Sequence, residues 1–261
     1  MNTMRISHIV LSLLLLTSIT AAGQGSLDWE EKAEFGVEIA GKIDITAQVF
    51  QPTNYQPFLI LTSERLKSPV LIDLAKKKVY SLKTSDIKAE GDFLHTNGIP
   101  NGKSVAKYAM KGGASTFKVH GTKVSMTIRQ TLVGEIEPAI ILAHSPDYAI
   151  RMEKYKPNRK SINTIKACKN QTEVVVMFAT WCSTCKVVLP QVMRIFDDAA
   201  NSRLNIRYIG IAQGGDEPRD ALERYGHDYP AVILLRDGKE IDRILGPTPY
   251  PIENAIAKTL R

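Results

Sequence analysis

The chain has 261 residues, 44% hydrophobic and 23% charged, with 34 Lys plus Arg against 27 Asp plus Glu and a formal net charge of +7. That length accommodates one large or two small domains, and the apolar fraction, with 17 Gly and 13 Pro scattered without period, excludes disorder, collagen and coiled coil. Three cysteines, an odd number, exclude a disulfide-stapled scaffold.

The start reads as an address. Arg5 is followed by an apolar run from Ile9 to Leu16 and by the small residues Thr20-Ala21-Ala22-Gly23, the pattern of a secretory signal peptide over residues 1–23. Its removal takes away Arg5 alone and lowers the net charge from +7 to +6. An uncleaved, tilted anchor over 6–22 is the alternative. Either way the expected location is extracytoplasmic, most simply a bacterial periplasm. Apart from Lys76-Lys77-Lys78 the basic residues are dispersed and not interleaved with aromatics, so the charge reads as a solvated surface and not as a nucleic-acid site.

Residues 24–135 carry period-two patterning and predict a β-rich domain. Over 42–50 the apolar side chains Ile43, Ile45, Ala47 and Val49 alternate with polar ones, which predicts one half-buried strand. Further strands are predicted at 58–62, 70–74, 78–83, 116–119 and 123–128, the last two joined by His120-Gly121-Thr122 as a hairpin. The glycine-rich stretch 97–115 reads as a long loop. Nothing in this domain identifies its partner.

Residues 136–160 form a helical linker, with helices predicted at 138–144 and 146–155, Ser145 as N-cap and Pro146 at the first helical position of the second. From 161 to 261 the pattern alternates: helix 161–169, strand 173–179, helix 182–198, strand 204–212, helix 217–225, strands 231–236 and 239–245, helix 251–260. The run Val174-Val175-Val176-Met177-Phe178 is apolar without alternation, as in a central strand covered on both faces.

At the end of that strand stands Trp181-Cys182-Ser183-Thr184-Cys185-Lys186. Two cysteines separated by two residues at a helix start can close a disulfide and reopen it. Unpaired N–H groups and the macrodipole at a helix N-terminus stabilise an anion, which lowers a thiol pKa from about 8.5 to ~3.5–7.5. Cys182 is then the nucleophile and Cys185 the resolving thiol. Competing readings are half a zinc site, which would need Cys168 and His227 as the other ligands, a permanent disulfide, and inert buried thiols. Cys168 itself reads first as a small buried apolar residue, with a regulatory or intermolecular thiol as the alternative, and His227 as a loop residue in solvent, with tuning of the cysteine pair as the alternative. No phosphate loop, metal cluster or cofactor motif is present, and no cofactor is called for.

Residues 160–261 resemble the thioredoxin superfamily: apolar strand, Ala179-Thr180-Trp181-Cys182-Ser183-Thr184-Cys185, Pro190 five residues later, then Tyr229-Pro230 before the hairpin 231–245. The resemblance implies an α/β domain with a central mixed sheet flanked by helices, placed after the β-rich domain. It also implies that Pro230 is a cis-proline lying against the disulfide, and that Trp181, Ser183, Thr184, Tyr229 and Pro230 border the substrate groove. Export and the Ala-Thr-Trp-Cys flavour are most similar to extracytoplasmic reductases of cytochrome c maturation. The resemblance therefore implies a thiol–disulfide oxidoreductase acting on protein substrates, reductive in direction and recharged by a membrane electron donor. The family's buried acid on the central strand is replaced by Val176, leaving water or Glu173 as proton acceptor for Cys185. A second function class stays open: a partner-binding or chaperone-like adaptor in which the thioredoxin-like domain is scaffold or redox sensor.

Overall fold

A computed structural model describes residues 25–261, and the stretch read as a signal peptide lies outside the described residues. The N-terminal strands are β1 (Ser26–Glu31), β2 (Phe35–Ile39), β3 (Lys42–Ile43), β4 (Gln48–Pro52), β5 (Phe58–Thr62), β6 (Val70–Asp73), β7 (Lys78–Ser81), β8 (Lys88–Glu90), β9 (Phe93–Asn97), β10 (Lys103–Lys107), β11 (Ala109–Lys111), β12 (Ala114–Val119) and β13 (Thr122–Ile128). They form two sheets, in the orders β10-β7-β6-β5-β4-β1-β9-β8 and β11-β12-β13-β2-β3. Alternate residues Val37 and Ile39, Phe117 and Val119, and Val124 and Met126 point from the smaller sheet onto Val49, Leu61 and Ile72 of the larger. The opposite face of the larger sheet has its own cluster around Trp29, Phe50 and Leu94. Trp29 Nε1, fully buried there, donates to Thr96 Oγ1 at 2.8 Å, which satisfies the one polar atom of the indole.

Two expectations for this half are corrected. The strand predicted over 42–50 is broken between Ile43 and Gln48. Asp44 causes the break: its carboxylate accepts the Thr46 N–H at 2.9 Å, the Thr46 hydroxyl at 2.8 Å and the Ser63 hydroxyl at 2.5 Å, a local turn that outcompetes the ladder. The loop predicted over 97–115 holds β10, β11 and the start of β12. Its glycines serve a tight turn: Gly112 and Gly113, at φ 57° and 78°, are the two central residues of the β11–β12 hairpin.

The C-terminal body consists of β14 (Gly134–Glu135), α1 (Pro138–His144), α2 (Pro146–Lys154), α3 (Arg159–Lys166), β15 (Thr172–Phe178), α4 (Ser183–Ala199), β16 (Leu204–Gly210), α5 (Arg219–Tyr225), β17 (Ala231–Arg236), β18 (Lys239–Leu245) and α6 (Ile252–Thr259). Its sheet runs β14-β16-β15-β17-β18, with β15 and β16 parallel and the other pairs antiparallel. Apolar β15 is central, with Val174 to Phe178 buried, as its lack of alternation requires. The helical stretch 136–160, read as a linker, is part of this body: Ile141 and Tyr148 lie in its core, and β14 extends its sheet. Ser145 sits at the N-cap of α2, but its hydroxyl meets His144 Nδ1 at 2.8 Å instead of capping the helix.

The two bodies are bolted together by charge. Arg129, just past β13, meets Asp147 of α2 at 2.5 Å and also reaches the carbonyls of Ala33 and Phe35. Arg151 donates to the Ile45 carbonyl at 2.7 Å. Among the described residues, no helix is long and apolar enough to cross a membrane.

Candidate active site

The chain leaves β15 at Phe178, turns once, with the Cys182 N–H on the Ala179 carbonyl at 3.2 Å, and enters α4 at Ser183. That makes Cys182 the N-cap residue, with extended backbone and its sulfur where a capping oxygen would sit. Cys182 Sγ accepts the Cys185 N–H at 3.1 Å. Cys185, one turn inside, is fully buried, and its sulfur accepts the Ala179 N–H at 3.4 Å. Both cysteines are free thiols in this structure.

This environment separates the two titrations. The hydrogen bond shared with the Cys185 thiol, aided by the N–H groups of Cys185 and Thr184, holds the Cys182 thiol below its ordinary value, against burial and the nearby charge of Asp92. Burial, reinforced by the neighbouring Cys182, pushes the Cys185 thiol well up. Of the two, the partly exposed Cys182 is therefore the easier to ionise and the buried Cys185 the harder.

The other residues expected to border a groove have the following surroundings. The Tyr229–Pro230 peptide is cis. The Pro230 carbonyl accepts the Gly246 N–H at 2.9 Å, and a Cβ on Gly246 would lie 3.1 Å from Pro230 Cγ and 3.2 Å from the Val188 methyls, so glycine lets β18 end tightly against the proline and α4. Trp181 stacks edge to face on Tyr229, centroids 5.3 Å apart, and donates Nε1 to the Ile211 carbonyl at 3.2 Å. Burial, with the charges of both cysteines, raises the Tyr229 hydroxyl pKa. Pro190 lies inside α4 and removes the N–H that would bond the Lys186 carbonyl.

Ser183 and Thr184 do not simply face open groove. Both hydroxyls donate to Asp92 Oδ2, at 2.8 and 3.3 Å, from the tip of the β8–β9 hairpin of the other body. The next residue after the pair, Lys186, is buried and ion-paired to Glu31 of β1 at 3.1 Å. Asp92 and Glu31 are absent from the residues singled out in the sequence, and no motif there could have found them, since their partners lie 91 and 155 positions away.

Four other residues singled out in the sequence separate here. Val176 is buried in β15 as an ordinary core side chain. Glu173, considered as proton acceptor for Cys185, is held by Arg207 at 2.8 Å at the far end of β15. Six residues of strand, about 20 Å, separate it from Ala179, so it cannot serve. Cys168 is buried before β15, its sulfur on the Asn170 carbonyl at 3.7 Å, and is not brought to the pair. His227 is exposed, with Nδ1 on the Gly215 carbonyl at 3.2 Å. Among the described residues, no three His, Cys, Asp or Glu side chains converge in a way that could hold a metal ion.

Comparison with known proteins matches residues 156–258 to the thioredoxin family model. Thioredoxin-2 of Saccharomyces cerevisiae is 32% identical over 91 residues, 33% of this chain and 79% of the relative. Thioredoxin of Chlamydia caviae is 38% identical over 74 residues, 28% of this chain and 67% of the relative, and thioredoxin AMT13 of Alternaria alternata is 27% identical over 107 residues, covering 40% and 83%. Through the domain that carries the cysteine pair, the chain belongs to the thioredoxin family.

Proposed function

We propose that the protein is an exported thiol–disulfide oxidoreductase that reduces disulfides of protein substrates through Cys182 and Cys185. Membership of the thioredoxin family supports thiol–disulfide exchange with protein thiols and disulfides in general. The observation that carries the assignment to this pair is the N-cap placement of Cys182, its sulfur on the Cys185 N–H, with Cys185 buried behind it.

The Cys182 thiolate attacks one sulfur of a substrate disulfide, forming a mixed disulfide and releasing the other substrate sulfur, which takes up a proton. Cys185 then loses its proton and attacks Cys182 Sγ. The intramolecular disulfide forms, the second substrate thiol leaves, and two electrons and two protons have passed to the substrate. An external dithiol, on this reading a membrane electron donor facing the extracytoplasmic space, restores the pair. Trp181, Tyr229 and Pro230 frame the approach of the substrate strand. The Ser183-Thr184 dipeptide has neither the proline of the family's strong reductants nor the histidine of its strong oxidants; the missing histidine speaks against a dedicated oxidant, and the reductive direction rests on the likeness to the extracytoplasmic reductases of cytochrome c maturation.

The test is kinetic. Cys182→Ser should abolish reduction of a model protein disulfide, and Cys185→Ala should accumulate the mixed disulfide; full activity in Cys182→Ser would overturn the assignment. A potential near about −120 mV, the oxidising end of the family range, would overturn the direction. Fractionation of the source cells tests export. The adaptor reading draws on the extent of the N-terminal body, and it requires that a double Cys182→Ser, Cys185→Ser variant still capture its partner.

A further inference from the structure

The turn between β8 and β9 has two residues, Gly91 at φ 58° and Asp92, paired across by Glu90 and Phe93. Glycine at the first central position with positive φ is the requirement of a type II′ hairpin, and it sets the following side chain at the tip. That tip is tied down, because the Asp92 carbonyl accepts the Glu31 N–H at 3.1 Å. The Asp92 carboxylate takes both hydroxyls of the dipeptide between the cysteines, at 2.8 and 3.3 Å. Glu31, on the strand that anchors the tip, grips Lys186 just beyond Cys185, and is itself fixed by Gln48 Nε2 at 2.8 Å. The lysine's ammonium also donates to the Ala47 carbonyl at 3.3 Å. Residues 183, 184 and 186 are thus all held by the N-terminal body.

A carboxylate in this place has an electrostatic consequence. Ser183 and Thr184 open α4, so Asp92 and the Cys182 sulfur share the positive end of one helix. Two anions at one helix terminus repel, and each weakens the other's claim on the N–H groups.

We propose that Asp92 is a positioning residue of the redox centre, by which the docked N-terminal body holds the Ser183-Thr184 dipeptide and restrains the reactivity of the Cys182 thiol. The titratable groups whose charge acts on that thiol are Cys185 from α4, Asp92 from the hairpin and Tyr229 from the turn before β17; Lys186 is already neutralised by Glu31. The inference rests on Cys182 being the nucleophile, and it assigns the N-terminal body a share in the redox site.

The experiment is the pH profile of Cys182 alkylation by iodoacetamide, read by mass spectrometry on the reduced full-length protein. Asp92→Asn keeps a hydrogen-bond acceptor and removes the charge, and it should lower the midpoint by roughly 0.5–1 pH unit. Asp92→Glu should stay near the unsubstituted protein. Since a stabilised thiolate favours the reduced pair, the potential of Asp92→Asn should also become less negative. A midpoint unchanged or raised in Asp92→Asn overturns the proposal; if that variant fails to fold, Asp92→Ser at the same exposed tip gives the reading. Because alkylation needs no substrate, an inactive protein with a shifted midpoint sinks the proposed function alone, and an active one with coincident profiles sinks the role of Asp92 alone.

Discussion

The contact between the two bodies is most sharply probed at Glu31. Its side chain and that of Lys186 are 5% and 8% exposed, with N and O 3.1 Å apart. Glu31→Ala leaves an ammonium buried with only the Ala47 carbonyl, at 3.3 Å, and strands the amide of Gln48 that had bonded the other carboxylate oxygen. Removing one partner of a buried ion pair costs about 3–5 kcal/mol, because the surviving charge stays desolvated. The remaining carbonyl places the expectation near the lower end, about 3 kcal/mol, a fall in melting temperature on the order of 10 °C. Equilibrium urea unfolding of the full chain measures it. The paired replacement Glu31→Leu with Lys186→Met should recover most of the loss, since two apolar side chains of similar volume leave no charge uncompensated. A Glu31→Ala variant within about 0.5 kcal/mol of the unsubstituted protein would show that water reaches this pair and that the docking described here is not tight.

Further expectations concern the thiols and the turns. Alkylation of Cys182 should be half-maximal below the ~8.5 of an ordinary thiol and fade as the pH falls through that depressed midpoint, while Cys185 stays unmodified until the fold is opened; a Cys182 midpoint at or above 8.5 would contradict its N-cap environment. Gly210→Ala drives a Cβ into the Leu132 carbonyl, so the segment entering β14 must shift, at a cost of about 1–3 kcal/mol by thermal unfolding; unaltered stability would mean that edge yields freely. For Asp44, burial is outweighed by hydrogen bonds from Ser63 and Thr46, which hold its carboxyl below the usual range. Asp44→Ala should therefore cost about 1–3 kcal/mol at neutral pH. The carboxylate stabilises the fold above its unfolded pKa of about 3.9 and loses that effect as the pH drops through the lower folded value, so the deficit of the variant should shrink in acid. A deficit independent of pH would assign the cost to packing instead.

The residues that announce themselves in the sequence are those whose signal is local. Strands 231–236 and 239–245 were legible to the residue, and α4 to within one, because apolar period and turn residues lie within the segment itself. The Cys182/Cys185 spacing is likewise local. Over 42–50 the same logic misled, since Asp44 draws on Ser63, nineteen positions away, to stabilise a turn that alternation alone reads as strand. Glycine-rich 97–115 misled in the other direction, because Gly112 and Gly113 are consistent with either a loop or a tight hairpin until partner strands are known.

By itself, then, the sequence determined a β-rich body, an α/β body and a cysteine pair at a helix start, all of which follow from side-chain periodicity and from the chemistry of a helix N-terminus. Only the tertiary structure decided how the N-terminal strands among the described residues divide into two sheets, that residues 136–160 join the C-terminal core, and that Asp92 and Glu31 close upon the redox motif. Those contacts are between charged or polar side chains far apart along the chain, and a lone carboxylate in a polar turn looks the same whether it faces water or a thiol until the two bodies are brought together.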